Sequence, residues 1–414
     1  MLGVELILRS SAVAAGLSCL LLAGIANSAA SQALTPAERA AIAAASKPDP
    51  EILLIGVYKE LAANRLRSAL QKADELVEAY PNFRLGHLIR GDLLLMHTQP
   101  VTKMGGGAKG SEDALRDLRE EAMARLKFLR ERPDPNLVPR AVLQLRDDQK
   151  KVLIVDAKRS RLYVYENRRG QLHFVTDYYI SQGKYGVNKL KEGDQRTPIG
   201  IYYITARLPG RQLPDFYGPG ALPINYPNEW DKINGRSGSG IWLHGTPSDS
   251  FSRPPLSSDG CVVLTNRDLY ALSASVEVGK TPVVISESVE FVTRDKWESE
   301  RRVAAKIMDE WRRDVESQDP ARLMAHYSRK FQSDRGEDLA SWFAKREQSL
   351  RGLKNVVISL REVSYFYYPG RDDLLVSTFT QDAKVGKSTS TVRKRQYWAR
   401  EGTRWKIIHE LNVS

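Results

Sequence analysis

Ile241-Trp242-Leu243-His244-Gly245-Thr246-Pro247, followed after a polar interval by Leu256-Ser257-Ser258-Asp259-Gly260-Cys261-Val262-Val263-Leu264-Thr265-Asn266, decides how this chain is read. A thiol becomes a useful nucleophile near neutral pH when a neighbouring imidazole takes its proton, and the resulting ion pair attacks a carbonyl. His244, closing an apolar strand, and Cys261 supply that pair. Gly260 leaves no side chain beside the attacked carbon, so exposed amides there are expected to hold the oxyanion of a tetrahedral intermediate. The imidazole must also be kept in one tautomer. No acid stands at a fixed neighbouring position, and the Gly245 carbonyl is the expected acceptor of its other N–H. Singly, a strand-end histidine and a Gly-Cys pair each have a plain structural explanation; their combination points to chemistry.

Working outward, residues Lys151 to Val155, Arg161 to Glu166, Phe174 to Ser181 and Ile199 to Ala206 form alternating or β-branched runs that predict strands. The first two, joined by Ala157-Lys158-Arg159-Ser160, predict a hairpin opening a β-rich domain over residues 148–290. Before it, residues 34–147 are expected to be largely helical, with apolar positions such as Ile52, Leu53, Val57, Leu61, Leu66 and Leu70 at helical spacing as far as about residue 145. Ala69 to Leu93 predicts two helices broken at Tyr80-Pro81-Asn82, with small and apolar facing sides that resemble tetratricopeptide packing. Such a region serves either to dock envelope proteins or to cap the next domain. The glycine-rich Met104 to Gly110 lacks both Walker spacing and a leading strand, so it is a loop. After the β-rich domain, Asp295 to Ser317 predicts a helix and runs from Val356 onward predict strands, an α+β unit over residues 291–414.

At 414 residues the chain needs more than one core. It opens with Arg9, an apolar run from Ala12 to Ile25 and small residues including Ser31-Gln32-Ala33, which predicts a secretory signal over residues 1–33 and a periplasmic protein. An uncleaved N-terminal anchor is the alternative, although the run is shorter than the roughly 20 residues of a spanning helix. Cys19 has Leu17 at the wrong spacing for a lipoprotein signal. After cleavage Cys261 would be the one cysteine left of two, a lone thiol in an oxidising compartment. The net charge of +12 is spread along the chain with no nucleic-acid motif, and on an exported protein it reads first as a merely soluble surface and second as one favouring anionic wall polymers, peptide carboxylates or lipid head groups.

The His244-Gly245 and Ser258-Asp259-Gly260-Cys261-Val262 motifs, with Thr197-Pro198-Ile199-Gly200-Ile201-Tyr202 upstream, resemble the L,D-transpeptidase catalytic domain, the YkuD family. Two departures stand out: Asp259 replaces the usual histidine, and Val263 stands where arginine or asparagine commonly follows the cysteine. The resemblance implies Cys261 as nucleophile, His244 as base, Gly245 as backbone orienter, and Ser258, Gly260, Trp242 and Thr246 as substrate-side residues, with no metal or organic cofactor. It implies attack after the L-centre of the third residue of a peptidoglycan stem, release of D-alanine, and a thioester that meets either an amine or water. The tail, with Gln396-Tyr397-Trp398 and Trp405-Lys406-Ile407-Ile408, resembles the cone of nuclear transport factor two, and the pairing of domains resembles the cell-shape L,D-carboxypeptidases of curved bacteria. The cone is expected either to bind a wall fragment or to mediate a homodimer, with Tyr365 to Tyr368 as core residues.

The expected fold is therefore multidomain α+β: a helical N-terminal region, a β-rich catalytic domain and a C-terminal α+β cone. A papain-like protease is disfavoured because its cysteine precedes its histidine, and six scattered histidines argue against zinc. Two rivals stay open: cleavage of lipoprotein–peptidoglycan links at the same site, and a noncatalytic wall-binding scaffold.

Overall fold

A computed structural model describes residues 34–350 and 355–413, apart from the side chains of Ser349 and Leu350. The expected export signal and Cys19 lie outside the described residues. No helix among the described residues is long and apolar enough to cross a membrane.

The N-terminal part is helical for local reasons. α1 (Pro36–Ala45) begins in a capping box between Thr35 and Glu38, and α2 (Pro50–Ala62) begins under Asp49, whose carboxylate accepts from the amides of Glu51 and Ile52. α3 (Leu66–Ala79) and α4 (Arg84–Leu95) flank the break at Pro81, and α5 (Glu112–Arg130) follows the glycine-rich loop from a Ser111 cap. Leu54, Val57, Ala69, Ala73, Leu76, Leu85 and Ile89 bury their facing sides.

Helix ends at Arg130, well short of residue 145. Pro133, Pro135 and Pro139 remove backbone donors there, and two strands follow, β1 (Val138–Pro139) and β2 (Val142–Gln144). Both find partners far along the chain.

The β-rich domain packs two sheets around a shared core. One contains β3 (Lys151–Asp156), β4 (Arg161–Arg168), β5 (Gln171–Tyr179), β7 (Gly200–Tyr203) and β13 (Pro282–Ser286) in the order β5-β4-β3-β13-β7. Its β3–β4 pairing is the expected hairpin. The other contains β8 (Leu208–Pro209), β9 (Gly220–Pro223), β10 (Trp242–His244) and β12 (Val262–Val263) in the order β12-β10-β9-β8. β6 (Gln182–Gly183) pairs with β11 (Leu256–Ser258) beside them. Leu153, Val155, Leu162, Leu222, Leu243, Val262, Val283 and Ile285 fill the space between, with α7 (Asn266–Ser275) contributing Leu269 and Leu272. A short α6 (Glu229–Ile233) rises toward the next domain.

β14 (Phe291–Val292) pairs with β1 and leads into α8 (Arg294–Ser317), whose Trp297, Ala304, Met308, Trp311 and Val315 form one buried face. After α9 (Pro320–Met324), β15 (Tyr327–Ser333) and α10 (Leu339–Leu350), three long strands β16 (Val356–Tyr367), β17 (Leu374–Val385) and β18 (Ser388–Glu401) and a final β19 (Arg404–Asn412) build a sheet in the order β15-β19-β18-β17-β16-β2. Its sixth member is β2, from before the catalytic domain. Trp297 Nε1 donates to Val142 O at 2.6 Å, fastening the helix to that strand. One apolar cluster joins Ile154, Tyr163 and Val284 of the catalytic domain to Tyr365, Phe366, Trp398 and Ile407 of the cone.

Candidate active site

β10 and β12 run parallel with Leu243 opposite Val262 and His244 opposite Val263. Both Leu243 and Val262 turn into the core. Side chains alternate along a strand, so Trp242, His244 and the flanking Cys261 fall together on the other face.

His244 is 1% exposed, and its Nδ1 lies 2.7 Å from Gly245 O. A carbonyl only accepts, so Nδ1 carries the proton and Nε2 presents its lone pair. Tyr217 meets the imidazole edge-on at 5.0 Å between ring centres, and Phe216 lies against it at 5.7 Å. Burial pushes the imidazole pKa down to about 4, against the pull of the Gly245 carbonyl, and the positive charge of Arg253 adds to the fall. Gly245 is needed because a Cβ there would stand 2.7 Å from Pro219 Cδ and run into Asn266 Oδ1.

Cys261 is partly exposed and unpaired. Its Sγ lies 3.4 Å from Gly240 O, and no hydrogen bond joins it to the imidazole among the described residues. Burial pushes the thiol up; the Trp242 amide and Arg253 pull it down, while the Asp259 carboxylate raises it. The resting pair is thus neutral thiol and neutral imidazole, which corrects the expected ion pair: desolvation outweighs the neighbouring charges.

The turn before Cys261 is tightly made. Gly260 has φ +127°, and a Cβ there would meet Arg196 O at 2.7 Å. Its amide donates to Ser258 Oγ at 3.1 Å, and the same hydroxyl donates to Cys261 O at 2.6 Å. The Gly260 amide is therefore engaged rather than held open for an oxyanion, and the Ser258 hydroxyl is turned to the backbone of the turn at Cys261. Thr246 is likewise fully buried, its amide bonded to Asn266 Oδ1 at 2.8 Å and its hydroxyl to Ser250 O at 2.8 Å. Both short side chains satisfy buried backbone groups that would otherwise be orphaned. Trp242 remains half-buried at the site, its ring 5.0 Å from Tyr217. Asp259 projects outward to Lys184 at 3.1 Å and Gln195 at 2.8 Å.

The sequence motif includes Thr197 but not its contacts, and three further residues at the site, Phe216, Tyr217 and Arg253, escape sequence reasoning. Thr197 accepts from Gly183 N at 3.0 Å and donates to Gly260 O at 2.9 Å, so the Thr-Pro segment pins the nucleophile turn. Phe216 and Tyr217 arrive on a 3-10 turn, Asp215–Tyr217, with no motif. Arg253 comes from the loop between β10 and β11, its guanidinium 4.4 Å from the centre of the Phe216 ring. Only the mixture of cation and prolines in Ser252-Arg253-Pro254-Pro255 hints at a built loop.

Residues 150–285 match the YkuD family, the L,D-transpeptidase catalytic domain, and residues 303–411 match the Cds6 C-terminal NTF2-like domain. Among solved structures, Bd1075 of Bdellovibrio bacteriovorus is 28% identical over 67% of this chain and 98% of its own, with a TM-score of 0.59. The helical cell shape determining protein Pgp2 of Campylobacter jejuni is 22% identical over 69% of this chain and 98% of its own, with a TM-score of 0.56. No curated protein matched by sequence. The match at the sheets carrying His244 and Cys261, and the second at the cone behind them, lead to one conclusion: this chain carries a peptidoglycan-directed L,D-transpeptidase catalytic domain of the YkuD family joined to an NTF2-like C-terminal domain.

Proposed function

We propose that this protein trims peptidoglycan stem tetrapeptides, cutting after the L-centre of the third residue through a thioester on Cys261. The observation that carries the reading is the common face of Cys261 and His244, with Nδ1 of the imidazole anchored on Gly245 O and Nε2 left as the acceptor. In this reading the Cys261 thiol leaves Gly240 O for that nitrogen when substrate binds, since apo geometry of this kind commonly tightens on substrate binding.

The thiol proton passes to Nε2 as sulfur bonds to the carbonyl carbon. The tetrahedral intermediate collapses, the carbon–nitrogen bond breaks, and the imidazolium returns its proton to the leaving amine of D-alanine. Water, deprotonated by the same imidazole, then attacks the thioester, and the thiol recovers its proton. An amine in place of water would give a cross-link by the same steps. Water is favoured by the likeness of the domain pairing to cell-shape carboxypeptidases, and the Pgp2 fold, a cell shape determining protein, supports a role in shape. A reaction outside the cytoplasm is supported by the peptidoglycan substrate of the family.

Mass spectrometry of disaccharide-tetrapeptide incubated with the protein tests this, with Cys261→Ala as control. Tripeptide and free D-alanine, absent from the control, are expected. Cross-linked dimers would replace trimming by transpeptidation, and no change on any stem would leave lipoprotein-linked stems or a scaffold.

A further inference from the structure

Arg253 is a half-buried cation beside the nucleophile, and the reaction above makes no use of its charge. Its guanidinium rests on Phe216, which in turn lies against His244. Its field reaches both the Cys261 sulfur and the imidazole. Among the described residues it makes no salt bridge. The Asp259 carboxylate favours its charge, but that carboxylate is already held by Lys184 and Gln195. Burial works against the charge, so a guanidinium kept here without a partner is poised for an anion from outside.

The loop that carries it is fixed from both sides. Phe251 is buried in the N-terminal helical core, 4.3 Å from the ring centre of Phe83 and 5.2 Å from that of Tyr80. Ser252 Oγ donates to Glu121 of α5 at 2.7 Å, and the Arg253 carbonyl accepts from Tyr179 at 3.0 Å. Pro254 and Pro255 then stiffen the exit, with Pro255 O accepting from Gln182 N at 2.9 Å. A side chain held on so rigid a support is preorganised for one ligand position.

We propose that Arg253 binds the terminal α-carboxylate of the residue that leaves, one residue beyond the scissile amide, and so restricts the site to stems ending there. This rests on the reaction proposed above. A planar guanidinium matches a carboxylate with paired N–H donors, and the carboxylate offers the charge that the site lacks. An amidated or longer stem would leave the cation unpaired.

The test uses the full chain, a tetrapeptide with a free C-terminus and its C-terminal amide, and the Arg253→Met and Arg253→Lys variants. The wild-type protein is expected to favour the acid over the amide in kcat/KM by about tenfold or more, the usual worth of a hydrogen bond to a charged group. Arg253→Met should lose that preference by slowing the acid several-fold more than the amide, with Arg253→Lys between. A second readout needs no stem peptide: the ratio of Cys261 alkylation by anionic iodoacetate to that by neutral iodoacetamide should fall several-fold in Arg253→Met; taking the ratio cancels the change in thiol pKa that loss of the cation brings, and an unchanged circular-dichroism spectrum reports an intact fold. Equal slowing of acid and amide, or an unchanged alkylation ratio, overturns the assignment. A wild-type protein inactive on every stem would instead sink the reaction itself, while the alkylation ratio still reports the anion preference.

Discussion

A histidine whose pKa has fallen to about 4 is neutral across the ordinary range, and His244 owes this to burial under Phe216 and Tyr217. As a base it acts only when unprotonated. The kcat/KM profile should therefore stay level down to about pH 5 and fall as pH drops through about 4. The Cys261 thiol is shifted the other way, so its alkylation by iodoacetamide should climb with pH past the usual thiol range, without the acidic plateau of a preformed thiolate–imidazolium pair. At Gly260, with φ +127° and Arg196 O in the way of a Cβ, Gly260→Ala is expected to cost about 1–3 kcal/mol in chemical denaturation and to abolish thioester formation. His244 and Cys261 are legible in sequence because few residue types do this chemistry and their flanking glycines are close by. Arg253, Phe216 and Tyr217 are not, since arginine and aromatic residues are common and only their meeting around one imidazole gives them meaning.

Elements that never touch substrate hold those that would. Thr197 precedes β7 yet spans from Gly183 N to Gly260 O, both buried, so Thr197→Val, of the same shape, should cost about 1–3 kcal/mol and lower kcat with the fold retained in circular dichroism. The loop between β10 and β11 is anchored by Phe251 in the helical core, so Phe251→Ala is expected to destabilise by about 3–5 kcal/mol in thermal or denaturant unfolding. It should also cut activity more than its distance from Cys261 would imply, because Arg253 loses its support. The N-terminal helices thus form part of the framework of the candidate site. The helical character of the N-terminal region and the β3–β4 hairpin were readable from apolar spacing and turn residues, both local signals. β2 was not: its three residues carry too little periodicity, and its partner β16 lies more than two hundred residues away in the chain.

Across the whole molecule the catalytic domain and the cone share one core. Trp230 of α6 stacks on Tyr397 of β18, 4.6 Å between ring centres and 14° from parallel. Tyr368 Oη donates to Ile199 O at 2.8 Å, and Arg395 pairs with Glu229 at 2.9 Å. A chain built this way should lose both domains together. Calorimetry of the protein is expected to show one transition for them, and truncation after residue 290 should leave an unstable remainder, since it bares the apolar faces of Tyr163, Ile201 and Trp230 and strips β2 of its sheet. Two well-separated transitions, or a truncated protein of undiminished melting temperature, would show the domains to be independent.

The sequence by itself determined the classes of element and the order of a helical region, a β-rich domain and an α+β unit, and it singled out His244 and Cys261 as candidates. These rest on hydrophobic period, turn residues and the narrow chemistry of thiol and imidazole, which act over a few residues. Tertiary structure decided the charge state of the pair, the engagement of Ser258, Thr246 and the Gly260 amide beneath the site, the arrival of Arg253, and the insertion of β2 into the distant sheet. Desolvation and long-range hydrogen bonding set all of these, and both depend on which residues meet in space, not on which stand next to one another in the chain.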